Sequence, residues 1–510
     1  MLNRRSFLRA AGVGAVGVGA AVTAASCSVS GQSGEPAPTG GTPSAVPEPS
    51  STRPPQVPPD WDGLRQRLGG ALLQPGENGY DAARKSFNPL YDQRSPAAVA
   101  LCKTSDHVQA CVALARNSYL PIAARSGGHS YAGYSVPDAG LVVDVRSMSG
   151  VDVHPDGTAV VGAGARLIDV YAALAAAGRC LPAGSCPTVG IAGLTLGGGL
   201  GVLARKYGLT CDHLLSAQII TADSVVRTAT PSNEADLFWA LRGGGGGNFG
   251  IVTSFTFSTE PAPTVTVFHL DYPDGSAPQV LGAWQDWTAA APDELWSTIV
   301  ISGGGKPRAK ISGSFVGPPS GVNPLLDRLV TASGKPTSRF VQQKSYLDAM
   351  RYYAGCAQVP VAQCTPDKLP RSTFVASSRV LPERLANPAA LVDLVKDRVD
   401  MDLQLDSLGG AVSRVDPTAT AFPHRAALAT VQIYQKTTVD QGPAAARAVA
   451  EVRDALGRVG AKGGYVNYIE AAMPAWGIAY YGPNLSKLDT VARHYDPDMV
   501  FAFAQSIQRS

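Results

Sequence analysis

The spacing of hydrophobic and polar positions changes partway along the chain. Up to about residue 260, short apolar runs alternate with segments of helical spacing, as at Val108, Cys111 and Val112 after the capping pair Ser105-Asp106. After that point, apolar and polar residues alternate in runs separated by glycine and proline, which predicts an antiparallel sheet. We therefore expect an α+β protein whose second part is an antiparallel sheet flanked by helices.

The pattern also predicts where the individual elements lie. Predicted strands span residues 98–102, 120–124, 141–145, 159–162, 214–221, 225–228, 265–270, 296–302, 309–316 and 428–434. Predicted helices span residues 61–73, 169–177, 236–242, 280–291, 322–332 and 388–399, besides the one that begins at Ser105. In the last strand Gln432 and Tyr434 share one face, which points either at a ligand or at solvent.

Composition narrows the classes of function. The 510 residues include 45% hydrophobic side chains, enough for a large core in two domains, and carry a formal net charge of only +3. So small a charge gives no reason to expect nucleic acid as a partner. The eight cysteines form no C-x-x-C pair, and we predict no metal site. Cys356 and Cys364 bracket a short polar loop and form a disulfide if the protein is exported, or remain two thiols.

Residues 1–27 are typical of a twin-arginine export signal. Arg4 and Arg5 precede a mild apolar run, residues 10–25, that is too short for a good membrane-spanning helix. The run ends close to Cys27 in a sequence similar to a bacterial lipobox, so Cys27 is either lipidated or follows simple cleavage. Residues 28–59 are rich in Ser, Gly, Pro and Thr and should form a disordered tether. We predict an extracytoplasmic protein, secreted or lipid-anchored, that meets a membrane only through Cys27.

The first candidate for chemistry is a glycine turn after an apolar run. Arg125-Ser126-Gly127-Gly128-His129-Ser130 lets the backbone turn sharply and present its N–H groups to an anion. Arg125 and Ser126 add donors suited to a pyrophosphate. His129 follows with an imidazole able to act as nucleophile or ligand. Taken alone, such a histidine is more often part of a turn than a cofactor anchor.

A second motif follows about sixty residues later. Cys186-Pro187-Thr188-Val189-Gly190 runs into Gly193 and then into Gly197-Gly198-Gly199. Together the two motifs resemble those of the flavin oxidases of the berberine-bridge-enzyme family, within the vanillyl-alcohol-oxidase superfold. The resemblance implies a PCMH-type, two-subdomain FAD-binding fold. It also implies FAD bonded covalently to both His129 and Cys186.

Further segments extend the resemblance to both ends of the chain. The run Asn248-Phe249-Gly250-Ile251-Val252-Thr253 matches a family segment, with one extra glycine before it. The implied domains are residues 93–262 for FAD, 263–460 for substrate and 461–510 returning to the FAD domain. The implied FAD-binding residues are Arg125, Ser126, Gly127, Gly128, His129, Ser130, Cys186, Thr188, Val189, Gly190, Gly193, Gly197, Gly198, Gly250, Val252, Tyr465 and Asn467.

The resemblance also indicates the catalytic base. Residues 465–470 read Y-V-N-Y-I-E, close to the family's Y-x-N-Y-x-D, and the match makes Tyr468 the candidate base. Tyr465 or Tyr434 would share or relay the proton. Tyrosine is a weak base at neutral pH because its ordinary pKa of about 10 leaves little phenolate, so the site must supply hydrogen-bond donors or a cation that favour phenolate.

The expected reaction is hydride removal from a carbon that bears a hydroxyl group, with the flavin as acceptor. The resemblance implies a small-molecule or oligosaccharide substrate, with reoxidation by dioxygen to hydrogen peroxide. One alternative is a flavin dehydrogenase with another acceptor. A second is a secreted binding protein without turnover, against which the retained His129, Cys186 and Tyr468 argue.

Overall fold

The computed structural model describes residues 57–509. The predicted export signal, Cys27 and residues 28–56 of the predicted tether lie outside the described residues. Residues 57–509 form three sheets of four, five and seven strands and one two-stranded ribbon, with helices around them. The expected α+β class is confirmed. In this part of the chain, no helix is both long enough and apolar enough to cross a bilayer.

The four-stranded sheet delivers the first glycine turn. Its strand order is Leu72–Leu73, Ala98–Leu101, Leu141–Asp144, Ile122–Arg125. The last three strands run parallel. Most of their apolar residues are buried, because other elements cover both faces of the sheet. Helix Ser105–Ser118 makes the crossover, and its N-cap is Thr104, one residue before the predicted cap. The Gly127-Gly128-His129 turn then follows the end of Ile122–Arg125.

The five-stranded sheet is antiparallel and shares one hydrophobic core with the first sheet. Its strand order is Val151–Val153, Thr158–Gly162, Ile251–Ser258, Leu214–Ile220, Val226–Ala229. The ribbon pairs Arg179–Cys180 with Glu260–Pro261. The Cys186 turn comes directly after this ribbon, so both glycine motifs belong to the same half of the molecule.

The seven-stranded sheet is the predicted antiparallel sheet, with three strands that the pattern did not indicate. Its order is Ser338–Lys344, Val265–Asp271, Arg308–Val316, Leu295–Ser302, Met401–Ser407, Ala429–Lys436, Phe374–Leu381. Leu403, Leu405 and Ile433 pack in the core formed with the covering helices. Because side chains alternate across a strand, Gln404 and Gln432, which are register partners, face the other way.

The α-helices are Trp61–Arg67, Tyr80–Ala83, Ser105–Ser118, Leu167–Ala176, Ile191–Leu196, Ala204–Tyr207, Ala235–Ala240, Ala277–Ala289, Pro319–Ser333, Tyr346–Tyr353, Pro388–Asp393, Ala411–Arg414, Gly442–Arg458, Trp476–Tyr481 and Leu485–Tyr495. Two predicted helices are shorter than expected. The first ends at Arg67 and is followed by strand Leu72–Leu73, and Pro388–Asp393 ends six residues before the predicted boundary.

Candidate active site

One large cavity, of about 390 Å³, lies where the two halves of the molecule meet. Its walls come from both glycine motifs, residues 245–252, one face of the seven-stranded sheet and the C-terminal segment. Most of the sequence-predicted site residues line it: Ser126, Gly127, Gly128, His129, Ser130, Cys186, Thr188, Val189, Gly190, Gly193, Gly250, Val252, Tyr434, Tyr465, Asn467 and Tyr468. The structure therefore brings together residues separated by more than three hundred positions in the sequence.

The two glycine turns interlock through their backbones. A Cβ atom on Gly127 would lie 2.8 Å from the carbonyl oxygen of Thr188 and closer still to the amide nitrogen of Gly190. A Cβ atom on Gly190 would overlap the side chain of Ser126. Glycine is thus required at both positions for close packing rather than for flexibility. The interlock fixes the position of His129 relative to Cys186.

His129 is held on two sides. Its ring stacks on Phe87, with centroids 4.0 Å apart and planes 18° apart. Its Nε2 atom lies 2.9 Å from the Thr188 hydroxyl oxygen. Burial lowers the pKa of His129 to about 3, only partly opposed by a hydrogen bond to the Thr188 backbone, so the imidazole is neutral at ordinary pH. A neutral ring with Nε2 engaged leaves Nδ1 as the nitrogen that can bond to a ligand.

Cys186 shares the same threonine. Its sulfur lies 3.9 Å from the Thr188 hydroxyl oxygen, so one hydroxyl contacts both residues predicted to bond the flavin.

Within residues 57–509, no group of three or more His, Cys, Asp or Glu side chains is arranged to hold a metal ion. Cys356 and Cys364 form a disulfide, which is the first of the two readings left open by the sequence.

Tyr465 orders the long glycine turn. Its hydroxyl oxygen accepts hydrogen bonds from the N–H groups of Gly199 and Leu200, at 3.1 and 3.2 Å, and from Asn467 Nδ2 at 2.9 Å. Burial raises the pKa of Tyr465 to about 12, against the opposing effect of these donors. A phenol so hard to ionise is a poor base, and its contacts point to a role in holding the turn.

Tyr468 has a carboxylate partner that the sequence did not reveal. Its hydroxyl donates to Oδ2 of Asp406 at 3.2 Å, and Gln404 Nε2 donates to both oxygens of the same carboxylate at 2.9 and 3.2 Å. Asp406 is 2% exposed and Tyr468 is 8% exposed. The arrangement is a buried phenol–carboxylate pair at the cavity wall.

The face of the sheet beside this pair is polar and aromatic. Gln432 donates to the hydroxyl of Tyr131 at 2.7 Å, and the Tyr131 ring stacks on Tyr468 with planes 6° apart. Tyr434 stacks on Phe374 with ring centroids 4.7 Å apart. Gln432 and Tyr434 both line the cavity, so of the two orientations left open by the sequence they take the ligand-facing one.

Three predicted FAD-binding residues lie elsewhere. The Arg125 guanidinium is 1% exposed, does not line the cavity and donates to Asp144 at 2.7 Å and to the Ala83 carbonyl. Gly197 packs against the Asn467 side chain and Gly198 against Phe422, both behind the cavity wall. These residues support the turns that form the site rather than touching a ligand there.

The lining fits FAD. Tyr134 and Ser135 line the cavity and carry buried hydroxyls for which residues 57–509 offer no hydrogen-bond partner, as expected where a polar ligand supplies one. Gly127, Gly128 and Gly250 also line the cavity, so that part of its wall has no side chain between the backbone and a ligand. Tyr134 and Ser135 were not predicted from the sequence, because they carry no local signal beyond their position just after the first motif.

Known proteins of similar sequence also point to an FAD site. A model described as an FAD binding domain matches residues 96–230, and one described as berberine and berberine like matches residues 464–508. An uncharacterized FAD-linked oxidoreductase of Bacillus subtilis is 34% identical over 87% of this chain and 98% of its own length. The chitooligosaccharide oxidase of Gibberella zeae is 32% identical over 81% of this chain and 87% of its own.

Solved structures show the same fold. The BBE-like 1 protein of Physcomitrella patens superposes with a TM-score of 0.81 at 30% identity, covering 88% of this chain and 99% of that one. The glucooligosaccharide oxidase from Acremonium strictum, described as carrying 6-S-cysteinyl, 8α-N1-histidyl FAD, gives a TM-score of 0.79 at 27% identity, with coverage of 88% and 99%.

Proposed function

This chain belongs to the berberine-bridge-enzyme-like family of FAD-linked oxidoreductases, and from that premise we propose that it oxidises an alcohol group of a carbohydrate or secondary metabolite. FAD bonded to both His129 and Cys186 would supply the hydride acceptor, and dioxygen would then take the electrons and form hydrogen peroxide. The observation that carries the proposal is the pairing of Tyr468 with Asp406, because alcohol oxidation needs a proton acceptor beside the flavin.

The pair resolves the weakness of a neutral phenol as a base. The Tyr468 hydroxyl already donates to the Asp406 carboxylate, so the phenol oxygen can receive the substrate O–H proton while its own proton passes to Asp406. No phenolate has to exist beforehand. The two hydrogen bonds from Gln404 hold the carboxylate in place for this transfer. Stacking on Tyr131 limits rotation of the Tyr468 ring.

The cavity wall supports a polyhydroxylated or aromatic substrate. Gln404, Gln432 and Asp402 supply amide and carboxylate groups that hydrogen-bond to hydroxyls, while Tyr131 and Tyr434 offer aromatic rings on which a sugar face or an aromatic metabolite can pack. The oligosaccharide oxidases among the relatives act on substrates of the first kind. Sugars and alcohols are therefore the first compounds to screen.

The second part of the proposal concerns where the protein is located in the cell. We propose twin-arginine export and an extracytoplasmic location, with Cys27 as the residue for any lipid anchor. The Cys356–Cys364 disulfide supports an oxidising environment, because structural disulfides are rare in the reducing cytosol. Mass spectrometry of the mature N-terminus from the native host would distinguish a lipidated Cys27 from a simply cleaved chain.

The test of the reaction uses the purified full-length protein and a panel of sugars and alcohols. Anaerobic mixing with a substrate should bleach the flavin absorbance, and the Tyr468→Phe variant should keep its flavin but be reduced roughly 10²–10⁴-fold more slowly, the usual contribution of general base catalysis. Equal reduction rates would remove Tyr468 from the mechanism.

The same experiment separates the two alternatives. Reduction by substrate without peroxide release under air would indicate a dehydrogenase with another acceptor. Tight binding of a compound that never bleaches the flavin would favour a binding protein. Free FAD after denaturation of the purified chain would refute the covalent attachment at His129 and Cys186.

A further inference from the structure

The hydroxyl of Thr188 lies between the two residues proposed to bond FAD. It is 2.9 Å from Nε2 of His129 and 3.9 Å from the sulfur of Cys186. Thr188 itself is 3% exposed, so solvent does not replace these contacts. One buried hydroxyl therefore contacts both nucleophiles and can affect the formation of both flavin bonds.

The first consequence concerns the tautomer of His129. A neutral imidazole carries its proton on only one nitrogen, and Nδ1 can attack only when that proton is on Nε2. When Nε2 carries the proton, the Thr188 hydroxyl oxygen at 2.9 Å accepts it, so the contact suits the tautomer that leaves Nδ1 free to attack. Phe87, stacked at 4.0 Å, holds the ring plane, and Thr188 contacts Nε2.

The second consequence concerns Cys186. A threonine oxygen that accepts from Nε2–H has its own proton available, and the sulfur of Cys186 is in reach of it. Hydrogen bonding to sulfur favours the thiolate, which is the reactive form of cysteine. The donor chain then runs from Nε2 through the Thr188 hydroxyl to the sulfur.

We propose that Thr188 is a positioning residue for both covalent flavin bonds, through the tautomer of His129 and the charge on Cys186; the proposal rests on the function proposed above. Each attachment replaces one N–H or S–H bond of the protein and one C–H bond of the flavin by a C–N or C–S bond. The two protons and two electrons released per bond are taken up by dioxygen as hydrogen peroxide.

The test measures flavin attachment rather than turnover. Full-length Thr188→Val, which keeps the branched shape but lacks the hydroxyl, is purified and incubated with FAD under air. Flavin that stays with the denatured chain is followed over time by in-gel fluorescence and located by peptide mass. Cys186→Ala and His129→Ala backgrounds report each bond separately.

We expect Thr188→Val to slow each attachment on the order of tenfold, the effect of losing about one hydrogen bond. Thr188→Ser should restore the rate because it keeps the hydroxyl. Thr195→Val is the matched control, since the Thr195 hydroxyl is also buried but contacts neither attachment residue. Thr188→Ala, smaller than valine, replaces the Val variant if valine prevents native FAD binding.

Two results would overturn the role of Thr188: attachment at the unaltered rate in the variants without the hydroxyl, or slow attachment in Thr188→Ser, which would assign the effect to the methyl group. Neither result concerns whether the bonds exist. If the unaltered chain releases all its flavin on denaturation, the covalent attachment itself is wrong, and the role of Thr188 is wrong with it.

Discussion

Replacing Gly127 by alanine should separate the two glycine turns that carry His129 and Cys186. The added Cβ would lie 2.8 Å from the Thr188 carbonyl oxygen and nearer still to the Gly190 amide nitrogen, both of them backbone atoms. Relief to an ordinary contact of roughly 3.4 Å or more requires the turns to move apart by roughly 1 Å, because the Gly190 nitrogen is the nearer of the two atoms. Overpacking of this kind costs about 1–3 kcal/mol of folding free energy. A displacement approaching 1 Å can slow a positioned reaction about 10²-fold.

The assay compares Gly127→Ala with Gly150→Ala, a control at which an added Cβ meets nothing within 4 Å. Flavin retained after denaturation should fall sharply in Gly127→Ala, and the bond to Cys186 should be lost more than that to His129, which stays on the same turn as the substitution. Thermal unfolding should show the stability loss in the same variant. Two complete bonds formed at the normal rate in Gly127→Ala would refute the interlock as the element that sets the geometry.

Three further predictions follow from buried groups. Asp406→Asn should keep the bound flavin but slow its reduction by substrate, because an amide cannot take the relayed proton; reduction at the normal rate would exclude the relay. Asp144→Asn should destabilise the fold by about 3–5 kcal/mol in thermal or denaturant unfolding, since it leaves the buried Arg125 without its carboxylate. Burial acts to raise the pKa of Asp144, yet the Arg125 and Arg146 guanidinium groups lower it overall. Its contribution is therefore complete above about pH 4 and lost as pH falls through the lowered value, so Asp144→Asn should flatten the acid limb of the stability curve. Cys356→Ser should cost about 2–3 kcal/mol by freeing the loop, and an unchanged unfolding midpoint would show that the disulfide is not formed in solution.

The cofactor motifs could be predicted from the sequence because their chemistry is local. His129 and Cys186 stand in short glycine turns whose residue types already suggest a backbone pressed against a ligand. In the structure, His129 and Cys186 line the same cavity. What the motifs could not indicate is the Thr188 bridge, because it depends on how the two turns meet.

Arg125 shows the limit of local interpretation. Beside two glycines it looked like a pyrophosphate donor, but its partner is Asp144, its register neighbour on the adjacent parallel strand. Both strands are otherwise apolar, and Leu141–Asp144 is buried along its whole length. A charged residue at the end of each of two neighbouring buried strands is the signal that could have paired them, provided that the strand order was known.

The carboxylate partner of Tyr468 was missed for a related reason. Asp406 lies on strand Met401–Ser407, where every second residue is polar although all seven are buried. Such alternation normally indicates a strand with one face in solvent. Here the polar face lines the cavity or lies just behind its wall. Only the pairing with strand Ala429–Lys436 shows this, because it sets Gln404 beside Gln432.

That alternation also explains why the substrate part of the sequence is the hardest to interpret. Leu403 and Leu405 pack against the covering helices, so their hydrophobicity is required for folding whatever the substrate. Gln404, between the two leucines, and Asp402, just before them, line the cavity and contribute little to that core. The cavity-facing residues can therefore be replaced at small cost to stability, whereas a one-residue slip of the strand would turn the polar set into the hydrophobic core and cannot be tolerated. One face of the strand is thus constrained by the hydrophobic core, and the other by what the cavity holds.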